Sequence, residues 1–168
     1  KIIQIMSQLR HHLINMDEID KICKQINEHE RFIAYGSPTL LNLLFDFQVD
    51  MKIFDKTVLL SSVNNGKILV PKNNDLIGLF TATGRLLGCC DAKFQEVVLD
   101  TKNTKILFSK SQINSEYIDF SFSMDTDNDY YEMHYVFLFL FDLIKTRYYE
   151  LYIKEWKYDY RKNNDDTK

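Results

Sequence analysis

Two threonines, a glycine and an arginine follow an apolar segment near the middle of the chain. Residues 76–80 are apolar, and Thr81, Thr83, Gly84 and Arg85 come directly after them. Hydroxyls, a guanidinium and the backbone N–H groups that a glycine leaves accessible bind phosphate and other small anions. A short apolar run bounded by turn residues is typical of a strand buried on both faces of a parallel sheet. Residues that follow such a strand lie at its carboxyl end, where open α/β sheets bind their ligands.

Two other loops carry hydroxyl groups in the equivalent position. Ser37 and Thr39 follow the predicted first strand, and Ser109 and Ser111 follow the predicted fourth strand. We therefore expect these side chains to face the same crevice. The alternative for Ser37 is a helix N-cap, with Pro38 at the favoured first helical position. The alternative for the two serines is a solvated loop, and an ordinary capped turn would also explain the threonines.

Alternating strands and helices are expected to position these loops. Strands are predicted at residues 31–35, 51–54, 76–80, 105–108 and 117–124, and the last of them is expected at a sheet edge. Helices are predicted at residues 1–15, 39–48, 86–99 and 130–158. A further helix is predicted to begin after Asp17, which would be its N-cap. Residues 57–69 remain ambiguous between a hairpin and a weak helix, because the Asn-Asn-Gly within them favours a tight turn. The alternation predicts a parallel sheet with right-handed crossovers. The polar tail at residues 161–168 is predicted to be disordered.

The charge of the chain argues against a nucleic-acid-binding module in this segment. The 168 residues include 21 basic and 24 acidic ones, with a net charge of −3 and no basic block. Nucleic-acid backbones are bound through clustered Lys and Arg. No apolar run reaches the roughly 18 residues of a membrane-spanning helix, and no secretory signal is visible. We therefore expect a cytoplasmic domain without membrane contact, preceded by a further segment because the first residue is Lys1 rather than Met.

The cysteines and acidic residues indicate neither a metal site nor a cofactor. Cys23, Cys89 and Cys90 are an odd number and lack the CxxC spacing, which is typical of buried thiols in a reducing compartment. The acidic residues within 125–129 alternate as calcium ligands do. That loop lacks the glycine and the distal glutamate of an EF-hand.

The last predicted helix is rich in aromatic residues, namely Tyr130, Tyr131, Tyr135, Phe137, Phe139 and Phe141. A helix that is apolar on more than one face needs two surfaces to pack against. We expect the second surface to be a partner subunit. The chain is therefore predicted to form a homodimer through residues 130–158, with Phe137 or Phe141 at the interface.

The order of these segments resembles the sugar isomerase (SIS) domain at the C-terminal end of RpiR-type bacterial transcription regulators. The matching segments are, in order, RFIAYGS, MKIFD, NNDLIGLFTATGR, TKILFSKSQ, IDFSFSM and LFLFDLIKTRYYELY. In the family the third segment usually has an Asp, a hydrophobic strand and Ser-x-Ser-Gly, which here become Asp75, residues 76–80 and Thr81-Ala82-Thr83-Gly84. The family's first loop is usually Gly-x-Gly-x-Ser. Here Pro38 replaces its second glycine.

The resemblance implies a flavodoxin-like three-layer α/β sandwich with a five-stranded parallel sheet, the SIS fold, over residues 1–160. It implies that a phosphorylated sugar binds to Ser37, Thr39, Thr81, Thr83, Gly84, Arg85, Ser109 and Ser111. It also implies a missing N-terminal helix-turn-helix domain, through which the full-length protein would contact DNA. On this resemblance the chain is predicted to be a sugar-phosphate-sensing and dimerisation domain without catalytic residues.

Two other functions remain open on the same resemblance. A sugar-phosphate isomerase of this fold would need a general base, typically Glu or His, near the sugar. The predicted crevice loops contain neither residue; Glu116 is the nearest candidate, and His134 is expected to be packed in the helix or at an interface. A dimer scaffold whose ligand site has decayed is the other possibility, because of Pro38 and the two serines replaced by threonines.

Overall fold

The computed structural model describes residues 15–63, 67–88, 91–123 and 130–154. In these residues five parallel strands form one sheet in the order β2-β1-β3-β4-β5. The strands are β1 (Arg31–Gly36), β2 (Thr57–Ser62), β3 (Asp75–Thr81), β4 (Lys105–Ser109) and β5 (Phe120–Ser123). This is the order of flavodoxin-like sheets. The predicted parallel α/β fold is confirmed.

The three central strands are buried because helices cover both faces of the sheet. Every residue of β3 and β4 is buried, as is every residue of β1 after Arg31. The strands also approach closely where β1 ends. A Cβ on Gly36 would lie 3.0 Å from the Cβ of Phe80, so a larger residue there would force the neighbouring strand to shift.

One face of the sheet is covered by four helices. They are α1 (Met16–Glu28), α2 (Pro38–Asn42), α3 (Phe45–Ile53) and α6 (Tyr130–Tyr148), the last continued by a π-helical turn at Tyr149–Ile153. The helix predicted to begin after Asp17 is capped by Asn15 instead. Asn15 is the better cap because its side chain accepts a hydrogen bond from the Asp17 N–H, which leaves Asp17 in the first turn.

Helix α6 runs antiparallel to the strands. Its Phe137 ring lies 6.0 Å from that of Phe80, at the carboxyl end of β3. Farther along, the Tyr148 hydroxyl donates a hydrogen bond to Asn27, just before the amino end of β1. The first turns of α6 therefore lie at the carboxyl edge of the sheet.

Phe137 and Phe141 belong to the core of the single chain, contrary to the expectation that one of them lies at a subunit interface. Each is 2% exposed. The Phe141 ring packs 4.9 Å from that of Phe47 and 5.4 Å from those of Phe80 and Phe108. Among residues 134–148 of α6, whose side chains the structure describes, the exposed large apolar residues are Tyr135 and Leu138 instead. Periodicity identified an aromatic helix but could not say which of its faces the sheet would cover.

The other face of the sheet is covered by shorter elements. They are α4 (Arg85–Gly88) and α5 (Ala92–Phe94), which continues into a π-helical turn at Gln95–Leu99. The prediction of one helix over residues 86–99 was wrong. Gly88 weakens the helix, and Asp91 caps a new one by accepting a hydrogen bond from the Phe94 N–H at 2.7 Å.

The predicted second strand at residues 51–54 was also wrong, because these residues end helix α3. The Lys56 N–H donates to Met51 O at 2.9 Å, and the Asp55 N–H donates to Lys52 O at 3.1 Å. Asp55 adopts a left-handed φ of 60° between them. This Schellman arrangement usually has glycine where Asp55 stands, so the helix end carried no obvious sequence signal. The second strand is β2, within the segment that the sequence left ambiguous.

A polar network joins the amino ends of the central strands. The Arg31 guanidinium forms a bidentate ion pair with Asp75, whose side chain also accepts a hydrogen bond from the Lys72 N–H at 2.6 Å. The Asn103 amide donates to Lys72 O at 2.6 Å and to Asp75 O at 2.8 Å. Burial would raise the pKa of Asp75, but the Arg31 and Lys72 hydrogen bonds outweigh it and hold that pKa below its usual value.

The expectation of a buried thiol is met at Cys23, the one cysteine that the described ranges include. Its side chain is fully buried, and its sulfur lies 3.5 Å from Ile144 O. Burial raises the pKa of this thiol to about 12. Cys89, Cys90, the acidic turn at 125–129, residues 1–14 of the first predicted helix and the polar tail lie outside the described residues. No helix within the described residues is both long and apolar enough to cross a membrane.

Candidate ligand-binding site at the carboxyl edge

The carboxyl ends of β1 and β3 mark the point at which the strand order reverses. The chain passes from β1 outward to β2 and returns to β3 on the other side of β1. In open α/β sheets the loops on either side of such a reversal diverge, and ligands bind in the crevice expected between them. Gly36 pairs with Phe80 at this edge, and Thr81 pairs with Ser109 of the next strand. The predicted site residues of three loops thus come from neighbouring strand ends.

The loop after β3 presents the strongest anion-binding groups. Thr81 is buried as the last residue of the strand, whereas Thr83 and Arg85 are exposed. Gly84 between them has a left-handed φ of 76°, which favours glycine, and its carbonyl accepts the Leu87 N–H at 2.9 Å. Among the described residues, neither the Thr83 hydroxyl nor the Arg85 guanidinium has a side-chain partner. Both groups remain available to a ligand.

The loop after β1 is partly committed to local structure. Ser37 caps α2 and its hydroxyl accepts the Leu40 N–H at 3.5 Å, with Pro38 in the first turn. The capping alternative for Ser37 is therefore present in the structure, although 3.5 Å is long for such a bond. Thr39 is exposed beside it. Pro38 removes one backbone donor, but at this helical position no intrahelical bond is lost.

The loop after β4 contains one structural serine and one exposed serine. Ser109 is fully buried and donates its hydroxyl hydrogen to Ser111 O at 2.7 Å. That bond fixes the turn at the end of β4, so the Ser109 hydroxyl already has a partner. Ser111 is exposed, and Lys110 between the two serines is half-buried. Lys110 makes no ion pair within the described ranges and adds a cation to this edge that the sequence analysis missed.

Ile113 is a second residue that sequence reasoning missed. It is half-buried and packs on the apolar cluster of the second sheet face. Its Cδ1 lies 2.8 Å from the position that a Cβ on Gly84 would occupy. An apolar residue in a hydroxyl-rich loop was the only available signal, and it did not indicate which neighbouring loop the side chain would contact.

The two candidate general bases lie in different places. Glu116 lines a cavity with Asp100 and Lys105 at the amino end of β4, and it also lines a second cavity with Ile113 and Ser121. His134 lies on α6 one turn before Phe137, and α6 begins at the carboxyl edge. Sequence reasoning placed neither residue with respect to the sheet.

A separate cavity of about 240 Å³ opens between α1 and the edge strand β5. Its floor is formed by Ile22, Ile106 and Phe122, and Glu18 and Lys21 stand at its rim. None of the predicted ligand-binding residues lines this cavity. It is distinct from the crevice.

Comparison with known proteins identifies the fold but not a close relative. No model of a known protein family matches the sequence, and no curated protein matches it. Solved structures do match. The sugar isomerase domain of an RpiR transcription factor from Sphaerobacter thermophilus has a TM-score of 0.68 and 8% identity, over 98% of this chain and 96% of that one.

Two further structures show the range of proteins that share this architecture. NanR from Vibrio vulnificus, complexed with ManNAc-6P, has a TM-score of 0.68 and 11% identity, over 96% of this chain and 64% of NanR. A protein from Methanococcus jannaschii, whose function as a 3-hexulose-6-phosphate isomerase was inferred from its structure, has a TM-score of 0.69 and 14% identity. The match covers 88% of this chain and 86% of that one. The chain has the SIS fold. Identities this low establish the fold alone.

Proposed function

We propose that this chain is the sugar-phosphate-sensing and dimerisation domain of an RpiR-type transcription regulator. One observation carries the proposal: an exposed threonine and an unpaired arginine flank a left-handed glycine directly after β3, beside the switch point of a SIS sheet. These groups have no partner among the described residues, whereas the buried Asp75 carboxylate at the amino edge is hydrogen-bonded to Arg31 and to the Lys72 N–H. Polar groups left unpaired at the switch point of such a sheet favour a ligand site.

The phosphate is proposed to bind the loop after β3. The Thr83 hydroxyl and the N–H groups around Gly84 donate hydrogen bonds, and Arg85 supplies a charge-assisted pair. Thr39 and Ser111 lie on the flanking loops and are proposed to contact the sugar hydroxyls. Thr81 and Ser109 support the site from the buried strand ends, and Ser37 shapes the β1 loop as a cap. The bound phosphosugar of NanR supports this class of ligand.

A sensor is favoured over an enzyme by the position of Glu116. The residues that directly follow β1, β3 and β4 (37–44, 82–88 and 110–115) contain no glutamate or histidine, and Glu116, farther along the loop after β4, lines a cavity at the amino end of that strand. Isomerisation of a sugar phosphate requires a base within hydrogen-bond reach of the transferred proton. A binding site without such a base can report ligand concentration. In the full-length protein, a change in subunit placement would then pass to the DNA-binding domains, provided the ligand binds the two states with different affinity.

Ligand binding is tested by titrating a panel of sugar phosphates, with inorganic phosphate alone as a further arm, using thermal shift and calorimetry. A site that binds a sugar phosphate stabilises the domain by about 2.7 kcal/mol at a hundredfold excess over Kd. Arg85→Gln should weaken that binding at least tenfold, because it removes the charge that pairs with phosphate. Lys93→Gln is the matched control, since Lys93 is also exposed but lies on α5. Equal loss in both variants would contradict the proposal.

The proposed homodimer uses the exposed residues of α6 rather than the buried ones. Tyr135 and Leu138 are 58% and 42% exposed, next to the buried Phe137. Leu138→Ser should shift the protein from dimer to monomer in sedimentation without unfolding it. Phe137→Ser should unfold the domain, because it removes a ring from the core. A wild-type monomer at tens of micromolar would refute the dimer.

A sugar-phosphate isomerase is the second candidate, and His134 is the observation that favours it. His134 stands near the start of α6, at the same edge of the sheet as the crevice. The isomerase inferred from the Methanococcus structure supports this alternative. NMR of the protein incubated with hexose and pentose phosphates would detect conversion. Turnover that His134→Gln abolishes would make the chain an enzyme, whereas binding without turnover supports the sensor.

A further inference from the structure

Ile113, in the loop after β4, lies against Gly84 in the loop after β3. Ile113 Cδ1 lies 2.8 Å from the site of a Cβ on Gly84, and Cγ1 lies 3.7 Å from it. The isoleucine side chain therefore covers the α-carbon of the one residue in the loop with a left-handed φ. Within the described part of the chain, neither Thr83 nor Arg85 makes a side-chain hydrogen bond that would hold this turn from the other side.

The two ends of this contact differ in rigidity. Ile113 is anchored, because it packs on the apolar cluster that contains Leu86, Phe94 and Leu107. The Ser109–Ser111 hydrogen bond fixes the start of its loop. Gly84 has no side chain and samples more backbone conformations than any other residue type. Contact with an anchored side chain removes part of that freedom before a ligand arrives.

We propose that Ile113 is a positioning residue, which holds the turn from Thr83 to Arg85 in its binding conformation without touching the ligand. The expected consequence is a higher affinity for phosphorylated ligands, and this part of the inference rests on the proposed function. Its structural content, that Ile113 orders Gly84, can be measured without any ligand. Loops that are ordered before binding lose less entropy when the ligand binds.

The test compares Ile113→Ala with two reference variants. Ile118→Ala is the matched control, because Ile118 is half-buried in the same loop and packs on the same cluster. Ile113→Val is the conservative variant and should restore the behaviour of the wild type. The ligand-free readout is the NMR order parameter of the Gly84 and Arg85 amides. In Ile113→Ala it should fall from about 0.85, typical of rigid backbone, towards 0.6.

A second ligand-free readout uses Gly84→Ala in two backgrounds. In the wild type the new methyl group meets Ile113, whereas in Ile113→Ala it does not. The loss of stability caused by Gly84→Ala should therefore be smaller in the Ile113→Ala background, which is the signature of direct contact. Equal losses in both backgrounds would overturn the inference.

The binding readout uses inorganic phosphate and glucose 6-phosphate as probes. Ile113→Ala should raise Kd roughly 3- to 30-fold, and Ile118→Ala should leave it unchanged. Unchanged order at Gly84 in Ile113→Ala, or an equal effect of Ile118→Ala, would overturn the inference. If the wild type binds no sugar phosphate, the proposed function fails, and the order parameters decide the positioning role alone.

Discussion

Strand β3 has a paired, buried charge at its amino end and exposed, unpaired polar groups just after its carboxyl end. At the amino edge, Asp75 is 2% exposed and receives hydrogen bonds from Arg31 and from the Lys72 N–H. At the carboxyl edge, Thr83 and Arg85 are exposed and have no partner among the described residues. The same strand, β3, begins in the first environment and ends at the second.

The contrast separates polar residues that stabilise from polar residues that are available to bind. A buried charge must be paired, because burying an unpaired one costs several kcal/mol. An exposed hydroxyl or guanidinium carries no such requirement, and a surface ion pair would contribute only about 0–1 kcal/mol. The amino edge therefore belongs to folding. The carboxyl edge retains groups that stability does not require, and a ligand can use them.

The largest expected effect is on stability and lies at the amino edge. Asp75→Asn removes the charge that pairs with Arg31 and should lower the free energy of unfolding by roughly 3 kcal/mol. Asp100→Asn, at an exposed aspartate of the same edge, is the control and should change it little. Urea denaturation measures both variants. If Asp75→Asn lowers the free energy of unfolding by less than about 0.5 kcal/mol, the paired charge at the amino edge does not stabilise the fold as argued.

The next effect is on binding and lies at the carboxyl edge. Thr83→Val keeps the shape of the side chain but removes the hydroxyl, so sugar-phosphate binding should weaken by about 1.5–3 kcal/mol. Thr57→Val, at an exposed threonine of the amino edge, should leave affinity unchanged. Calorimetry with the best ligand of the panel measures both variants. Unchanged affinity in a folded Thr83→Val protein would remove the loop after β3 from the site.

A smaller effect is the pH dependence of stability at the amino edge. The folded-state pKa of Asp75 is lowered, so the unfolded chain binds the proton more readily. The contribution of Asp75 is therefore complete above the unfolded pKa of about 3.9 and is lost as pH falls towards the lower folded value. Wild-type stability should fall more steeply between pH 5 and pH 3 than that of Asp75→Asn. Parallel urea midpoints for the two proteins over this range would contradict the account.

The smallest effect concerns Ser37, a helix cap at the carboxyl edge. As a cap, its loss in Ser37→Ala should cost about 0.5–1 kcal/mol of stability. If Ser37 only caps α2, the affinity for sugar phosphate should change less than twofold. A larger loss of affinity would assign its hydroxyl to the ligand as well. Thermal unfolding and calorimetry on the same preparation separate the two roles.

The central strands and the loops after them could be predicted from local sequence. Strands β1, β3 and β4 are continuous apolar runs, and each ends at hydroxyl-bearing residues. A strand covered on both faces needs such a run, so composition alone indicates it. Parallel strands also place their carboxyl ends at one edge. The gathering of Ser37, Thr81 and Ser109 therefore followed from the strand prediction.

Other predictions failed where short segments fit two structures. Residues 51–54 have the composition of a strand, but Met51 is buried under α6 and the Phe54 ring stacks 6.2 Å from that of Tyr148. Packing against a helix that is distant in sequence stabilises this segment as the end of α3, and the left-handed conformation of Asp55 ends the helix. A four-residue pattern contains no information about contacts with residues almost a hundred positions away.

The sequence by itself determined the fold class and the chemical character of the carboxyl edge, because periodicity and residue type are local properties. Only the tertiary structure decided which hydroxyls are free. In the folded chain the Ser109 hydroxyl donates a hydrogen bond to Ser111 O, whereas Thr83 is exposed. The tertiary structure also placed Phe137 in the core and Ile113 against Gly84. Each of these outcomes depends on which surfaces meet when the sheet and its helices pack together, and that is set by the whole chain.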